Sequence, residues 1–231
     1  MQRRLSFEMS LQSGAIFLMP HIISMNFEID APVGIISDSH GEAAHLSKAI
    51  HLLKDKKCRK IIHLGDICDT VHIHTADECI SLIQEFNVIA VKGNNDNALV
   101  LHHNSGINPT TIDYIQSLPL VIQSQQLIFA HSLPFFKTLG LSCMIQGLNS
   151  HFLKLCFDYL DENAILFRGH SHQPEIVVQS NHKYQRTALN LPVEKNLKHL
   201  CPCIVTCGAV LNGQCMIYYP ENRILIGCII D

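Results

Sequence analysis

No stretch of this chain is long enough and apolar enough to cross a bilayer, which takes about 20 consecutive apolar residues. Arg3 and Arg4 precede a modestly apolar segment at 15–19, but Glu8, Gln12 and Ser13 break any signal-like run. A long run of like charge is also missing, and the formal net charge is -3. That excludes a general nucleic-acid binder, which presents a basic face. The ten cysteines lack paired spacing. Cys58, Cys68, Cys79, Cys143 and Cys156 are scattered. Cys201, Cys203 and Cys207 cluster without the two-plus-two grouping of a zinc ribbon. They read as free thiols of a reducing cytoplasm, with a peripheral metal or redox role as the lesser alternative. Ser132 and Ser171 sit in no nucleophile elbow. A phosphate-cradling loop of the P-loop type, an internal repeat and a linker after residue 31 are likewise missing.

What is present is a chain of 231 residues, 47% hydrophobic and 16% charged, enough for one well-packed domain. Histidine is abundant, with 15 against 17 Lys+Arg, and imidazole serves both metal sites and phosphate chemistry. Residues 1–30 read as a weakly ordered or mis-called amino-terminal extension, with Met19 and Met25 as alternative starts. Residues 31–231 read as the domain.

From residue 32 the pattern is regular. An apolar run at 32–37 predicts a buried strand, broken at Asp38-Ser39-His40-Gly41. A helix follows with Leu46, Ala49, Ile50 and Leu53 on one face. Residues 60–64 form the next strand, ending in Gly65-Asp66. Thr75 and Glu78 have the spacing of a capping box for a helix running to about Phe86. A third strand at 88–91 ends in Gly93-Asn94. This βαβαβ order implies a parallel sheet. Further on, 110–117 and 150–160 read as helices. Residues 126–130, 164–167, 175–179, 203–206, 214–219 and 223–230 read as strands, with Pro220-Glu221-Asn222 turning a terminal hairpin.

Polar residues recur just past the carboxyl ends of these apolar strands, the edge where open α/β sheets bind ligands. Asp38 and His40 follow the first strand, Asp66 and Asp69 the second, Asn94 and Asp96 the third. His131 ends the strand 126–130, and His170 and His172 follow 164–167. Asp, Asn and His are all donors for divalent metals. The spacing of two in Asp38/His40 and His170/His172 lets both side chains of an extended segment face one side. Gly41, Gly65, Gly93 and Gly169 stand beside them, where the backbone turns sharply.

Asp38-Ser39-His40, Gly65-Asp66-Ile67-Cys68-Asp69, Gly93-Asn94-Asn95-Asp96, Ala130-His131-Ser132 and Gly169-His170-Ser171-His172 resemble, in order, the five motifs of the calcineurin-like metallophosphoesterase superfamily. The small bacterial and archaeal phosphodiesterase branch is the nearest likeness. The resemblance covers about residues 32–231 and implies a four-layer α/β/β/α sandwich of two mixed sheets with helices outside. It implies a dinuclear metal-dependent phosphoesterase, acting on a diester before a phosphoanhydride or monoester. Asp38, His40 and His172 would hold one metal, Asn94, His131 and His170 the other, and Asp66 would bridge them. Asp66, Asn94 and His131 would act on the substrate through the metals. Two dications against two carboxylates leave about +2, and a hydroxide shared by the ions is the implied in-line nucleophile. Mn²⁺ is the first expectation for the metal, with Fe²⁺, Zn²⁺ or Ni²⁺ as alternatives.

One departure stands out. Many family members carry a histidine where this chain has Asn95, which offers no proton at neutral pH. Such an acid contributes about 10²–10⁴-fold, so substrates whose leaving group needs little protonation are expected. Asp69 and Asp96 read as orienting or capping residues rather than ligands. His102 and His103 are pocket-lining candidates or a solvated loop pair. Arg168 either neutralises phosphate or is an exterior strand charge. His72-Ile73-His74 with Asp77 only loosely resembles a metallo-β-lactamase signature, and Asp77 is better explained by the helix dipole. The small phosphoester is the expected partner, with no membrane and no stable nucleic-acid complex. A homodimer stays open. The rivals are a phosphomonoesterase acting on nucleotides or phosphoproteins, and a non-catalytic interaction scaffold of the same fold.

Overall fold

The computed structural model describes residues 22–25, 31–102, 106–135, 143–181 and 183–230. In chain order its elements begin with β1 (Ile22–Ser24), β2 (Val33–Ile36), α1 (Ala43–Asp55), β3 (Lys60–His63), α2 (Ala76–Glu85) and β4 (Ile89–Ala90). There follow α3 (Asn94–Leu101), α4 (Pro109–Ser117), β5 (Val121–Ser124), β6 (Leu127–Ala130), α5 (Ser150–Tyr159) and β7 (Ile165–Arg168). The chain then turns wholly to strands: β8 (Glu175–Ser180), β9 (Lys183–Ala188), β10 (Val193–Asn196), β11 (Cys203–Thr206), β12 (Gln214–Tyr219) and β13 (Ile224–Ile229).

Two mixed sheets result. The seven-stranded sheet runs β1-β5-β6-β7-β11-β8-β9 and the six-stranded sheet β10-β13-β12-β2-β3-β4. Within them β2, β3 and β4 are mutually parallel, as are β6, β7 and β11. Side-chain alternation sorts each strand between two layers. Ile35, Ile62 and Met216 of one sheet meet Phe129, Phe167 and Val205 of the other in a shared core. The opposite faces, carrying Ile36, Ile61 and Ile217, pack on Leu46, Ile50 and Leu53 of α1 and Ile80 and Ile83 of α2. On the far side Ile128, Leu166 and Ile204 pack on Phe152, Leu153 and Phe157 of α5. The architecture is therefore the four-layer α/β/β/α sandwich expected. Phe167 joins the two sheets, stacked on Phe129 at 5.5 Å between centroids and tilted against Tyr218 at 5.3 Å.

Several elements differ from the sequence expectation. Residues 22–24 lie within the supposed extension, yet β1 adds a parallel edge strand beside β5; the rest of 1–30 falls outside the described residues, apart from Met25. The helix α3 begins at Asn94 itself, where no helix is expected. Its opening Asn-Asn-Asp-Asn is a weak helix former, and Asp96 compensates by accepting the Gly93 N–H at 2.9 Å. The strands β9 and β10 escape pattern reading because most of their residues on both faces are exposed or half-buried. The capping box at Thr75 does not form. A 3₁₀ turn at Ile73–Thr75 leads into α2, and the Thr75 hydroxyl donates to the His72 carbonyl instead. Asp77 accepts from the Asn108 backbone and side-chain amides, tying the start of α2 to the start of α4.

Truncation of the inter-sheet aromatic should be felt globally. Phe167→Ala is expected to cost about 3–5 kcal/mol, read as a lower urea midpoint with an unchanged slope.

Candidate metal centre

The loops after β2, β3, β4, β6 and β7 are laced together by backbone hydrogen bonds. Asp38 N–H donates to Gly65 O at 3.0 Å, His40 N–H to Asp66 O at 3.0 Å and Gly41 N–H to Ile67 O at 2.9 Å. From the other sheet, Gly169 N–H donates to His131 O at 2.9 Å. The two edges meet where the His170 N–H reaches both Asp38 carboxylate oxygens, at 3.1 and 3.2 Å.

Two glycines permit this closeness. A Cβ on Gly93 would stand 2.2 Å from the Asp66 nitrogen, and one on Gly169 would stand 1.9 Å from Ser37 Oγ. Both therefore serve close approach rather than the sharp turn expected of them, whereas Gly41 and Gly65 do adopt positive φ. The same loops hold Asp38, His40, Asp66, His170 and His172 at φ between 48° and 71°, the left-handed region that non-glycine residues avoid. Each such residue costs about 1–2 kcal/mol. Strain of this kind gathers at functional sites.

Side chains converge as follows. Ligand atoms of Asp38, His40 and His172 all lie within 4.8 Å of one another, as do those of Asp38, Asp66 and His131. His40 Nε2 is 3.1 Å from His172 Nε2 and 3.8 Å from Asp66 Oδ2. His172 Nε2 is 3.4 Å from Asp38 Oδ1. On the other side, His131 Nε2 stands 3.4 Å from Asp66 Oδ2, 3.0 Å from Asn94 Oδ1 and 3.3 Å from His170 Nδ1. All the residues expected as ligands thus gather where the adjoining edges of the two sheets meet, with Asp66 between the two groups.

Backbone carbonyls fix the ring tautomers. His131 Nδ1 faces the Leu64 carbonyl at 2.9 Å and His170 Nε2 faces the Ile145 carbonyl at 3.1 Å. A carbonyl only accepts, so those nitrogens carry the protons. His131 Nε2 and His170 Nδ1 are left as bare lone pairs, crowded against Asn94 Oδ1 and Asp66 Oδ2. One extra proton would relieve a single pair of these acceptors; divalent cations relieve them all. The residues fit a metal.

Two donors are in the form a metal needs. Burial raises the Asp38 carboxyl, but hydrogen bonds with His172 and the Ser37 hydroxyl outweigh it and hold it at about 2. Burial pushes His170 down to about 4. A carboxylate and a neutral imidazole are the forms that bind metals, whereas the hydrogen bond to Asp38 raises His172.

The surrounding residues divide clearly. Asp69 Oδ1 accepts from the Val71 and His72 amides at 2.8 and 2.7 Å, while Oδ2 lies 3.6 Å from His40 Nδ1. It caps its turn, with its second oxygen lying between the His40 and His72 rings. Asp96 accepts from Cys68 N–H as well as Gly93 N–H, pinning the second motif to the third. Asn95 donates its backbone N–H to Asp66 Oδ1 at 2.8 Å and its side-chain amide to Oδ2 at 2.7 Å. Arg168 is no exterior charge: it is 1% exposed, donating to Ser132 O, Ser132 Oγ and Thr206 Oγ1. His102 is exposed at the end of α3 remote from Asn94, and His103 lies outside the described residues. His72 Nδ1 reaches the His40 carbonyl at 3.2 Å and His74 sits in the 3₁₀ turn, so the pair lines no ligand cluster.

His63 went unnoticed in the sequence. Fully buried, it accepts the Gly65 N–H on Nδ1 at 3.2 Å, so Nε2–H donates to Ser39 Oγ at 2.9 Å, and that hydroxyl donates to Ile67 O at 3.1 Å. Burial pushes its pKa down to about 3, keeping it neutral. The only signal for it was a polar residue inside an otherwise apolar strand.

A four-layer sandwich that gathers Asp, Asn and His donors at the carboxyl ends of its parallel strands defines an α/β protein with a candidate metal centre. Residues 32–191 match the calcineurin-like phosphoesterase superfamily domain, and the chain belongs to that superfamily. It is 25% identical over 166 residues to protein MJ0912 of Methanocaldococcus jannaschii, an uncharacterized protein; the match spans 63% of this chain and 64% of that protein. Its fold is similar to a metallophosphoesterase from Sphaerobacter thermophilus, at TM-score 0.66 and 19% identity over 87% of this chain and 88% of the other. It is also similar to the hypothetical protein PH1004 from Pyrococcus horikoshii OT3, at TM-score 0.58 and 13% identity over 87% and 88% of the two chains. No helix among the described residues is long and apolar enough to cross a membrane.

The left-handed backbone gives a direct test. In metal-free protein, His172→Gly should be more stable than His172→Ala by about 1 kcal/mol, measured by thermal unfolding. The opposite order, usual for a helix or strand position, would show that the loop does not hold this conformation.

Proposed function

We propose that this protein is a dinuclear metal-dependent phosphoesterase. The observation that carries the reading is the convergence of bare nitrogen and oxygen lone pairs on both sides of Asp66. Asp38, His40 and His172 would hold one divalent ion and Asn94, His131 and His170 the other, with Asp66 shared. Bound dications supply a lowered water pKa and stabilise charge on the phosphoryl oxygens. Mn²⁺ suits this mixture of imidazole, carboxylate and amide oxygen, and Fe²⁺, Zn²⁺ and Ni²⁺ are the competitors.

The chain's own residues do the positioning. The Leu64 and Ile145 carbonyls aim His131 and His170, Asp69 aims His40, and Asn95 steadies Asp66. Asn95 is therefore occupied with the central carboxylate and has no proton to give. A leaving group must depart on its own acidity, which favours activated diesters and phosphoanhydrides over alkyl monoesters.

Turnover of bis(p-nitrophenyl) phosphate should appear with Mn²⁺ and vanish with chelator, and Asp66→Asn should cut kcat/KM by on the order of 10²–10³-fold. Failure in every divalent metal, together with a stable protein partner, would establish the scaffold reading instead. Asp69→Asn should weaken metal affinity about 10–100-fold, as loss of a ligand-orienting group does; calorimetric metal titration reads this apart from catalysis. Across a series of aryl phosphodiesters the rate should fall steeply as the leaving phenol becomes less acidic. A flat series with chemistry rate-limiting would sink the account of Asn95.

A further inference from the structure

All ten cysteines are free thiols; eight are buried, and Cys201 and Cys228 are partly exposed. Cys228 has a partner that sequence spacing hid. It stands on β13 directly across from Cys215 of β12 in the antiparallel ladder. One step of two residues further along, Ile230 N–H donates to Gly213 O at 2.7 Å. Hydrogen-bonded pairs recur every second residue of such a ladder, so Cys215 and Cys228 form one too, with Cα atoms about 5.5 Å apart. A disulfide favours a separation of about 5.5–6 Å. Both side chains join the core layer under α1 and α2, and the Cys215 thiol donates to the Cys228 sulfur.

The two sulfurs are unequal in access and in acidity. β10 covers β13 only as far as Gly227, opposite Val193, so Cys228 is the first residue beyond that cover. The hydrogen bond from Cys215 and the charge of Lys56 outweigh burial and lower Cys228 to about 7, whereas the same bond and burial raise Cys215. Cys58, beside the pair just past α1, is pushed up by burial to about 12. The thiolate is the nucleophile in thiol chemistry, so Cys228 is the attacking sulfur and Cys215 the resolving one. Among the described residues no third His, Cys, Asp or Glu donor gathers with these two sulfurs, which sets them apart from a metal site.

We propose that Cys215 and Cys228 form a thiol–disulfide exchange site whose oxidant is a low-molecular-weight disulfide of the glutathione class. Lys56, exposed at the end of α1 and acting on Cys228, offers a cation to the carboxylates of such a tripeptide. The Cys228 thiolate attacks one sulfur of the oxidant, whose S–S bond breaks. A mixed disulfide forms on Cys228, and the first glutathione thiolate departs and takes a proton from water. The Cys215 sulfur then attacks the Cys228 sulfur, and the second glutathione leaves with the Cys215 proton. Two protein thiols are oxidised to one disulfide while one glutathione disulfide is reduced to two thiols. Neither sulfur belongs to the candidate metal centre, so the outcome does not depend on phosphoester turnover.

The test incubates the full chain with oxidised glutathione, blocks the remaining thiols with N-ethylmaleimide and maps the unreduced tryptic digest by mass spectrometry. Trypsin separates the two cysteines, since residues 199–223 carry Cys215 and residues 224–231 carry Cys228. The expected product is these two peptides joined, lighter by two hydrogens than their sum, with fragment ions placing the link at Cys215. A bond between Cys201 and Cys203 would stay within the first peptide and is told apart at once. In Cys215→Ser the link should be lost and Cys228 should keep one glutathione; Cys201→Ser should leave the link unchanged. Recovery of 224–231 only as its maleimide or glutathione adduct in the wild type overturns the proposal, as does a link from Cys228 to any other cysteine. The wild-type digest decides this even where Cys215→Ser does not fold.

Discussion

Two buried carboxylates and a ring of imidazoles face one another across a few ångströms, and two of the rings, His131 and His170, turn a proton-bearing nitrogen away toward a backbone carbonyl. This crowding of acceptors is the constraint on which the rest of the molecule depends. Left to themselves, His131 Nε2, His170 Nδ1, Asn94 Oδ1 and Asp66 Oδ2 repel, and the left-handed backbone beneath Asp38, His40, Asp66, His170 and His172 adds strain. The sandwich must be rigid enough to hold them there. Two sheets sharing one core, bridged by the Phe129, Phe167 and Tyr218 rings, provide that rigidity.

Rigidity reaches the loops through backbone bonds rather than through the loop sequences. The segment after β2 lies along the segment after β3, and the segment after β7 is bonded to the one after β6. His63 and Asp96 pin these segments from below, one through Ser39 and the other through the Cys68 and Gly93 amides. Neither reaches the ligand cluster, yet each controls how far apart two donor-bearing loops can drift. At such sites a displacement of an ångström changes reactivity severely, so these buried polar residues belong with the chemistry as much as with the fold.

Asn95 shows how one position links structure and specificity. Where the family resemblance would imply a histidine, this chain carries an amide residue that bonds both oxygens of Asp66, through its backbone and its side chain. The side-chain amide is thereby spent on ordering the central carboxylate.

Much of this was legible in the chain. Continuous apolar runs, a helix face of Leu46, Ala49, Ile50 and Leu53, and polar residues directly after each strand fix where side chains emerge, because strand direction is a local property. The helix α3 and the strands β9 and β10 were not legible: weak propensity in Asn-Asn-Asp-Asn and exposure on both faces leave no periodic signal, and long-range contacts decide them. Local pattern likewise could not tell whether Arg168 is surface or core, since the covering segments are distant in sequence. The edge strand β1 was hidden too, because its partner β5 lies about a hundred residues away in register. The residue types that can chelate a metal were set by the sequence. Only the packing of two sheets brought donors from Asp38 to His172 together where their edges adjoin, because that convergence depends on bonds between loops far apart in the chain.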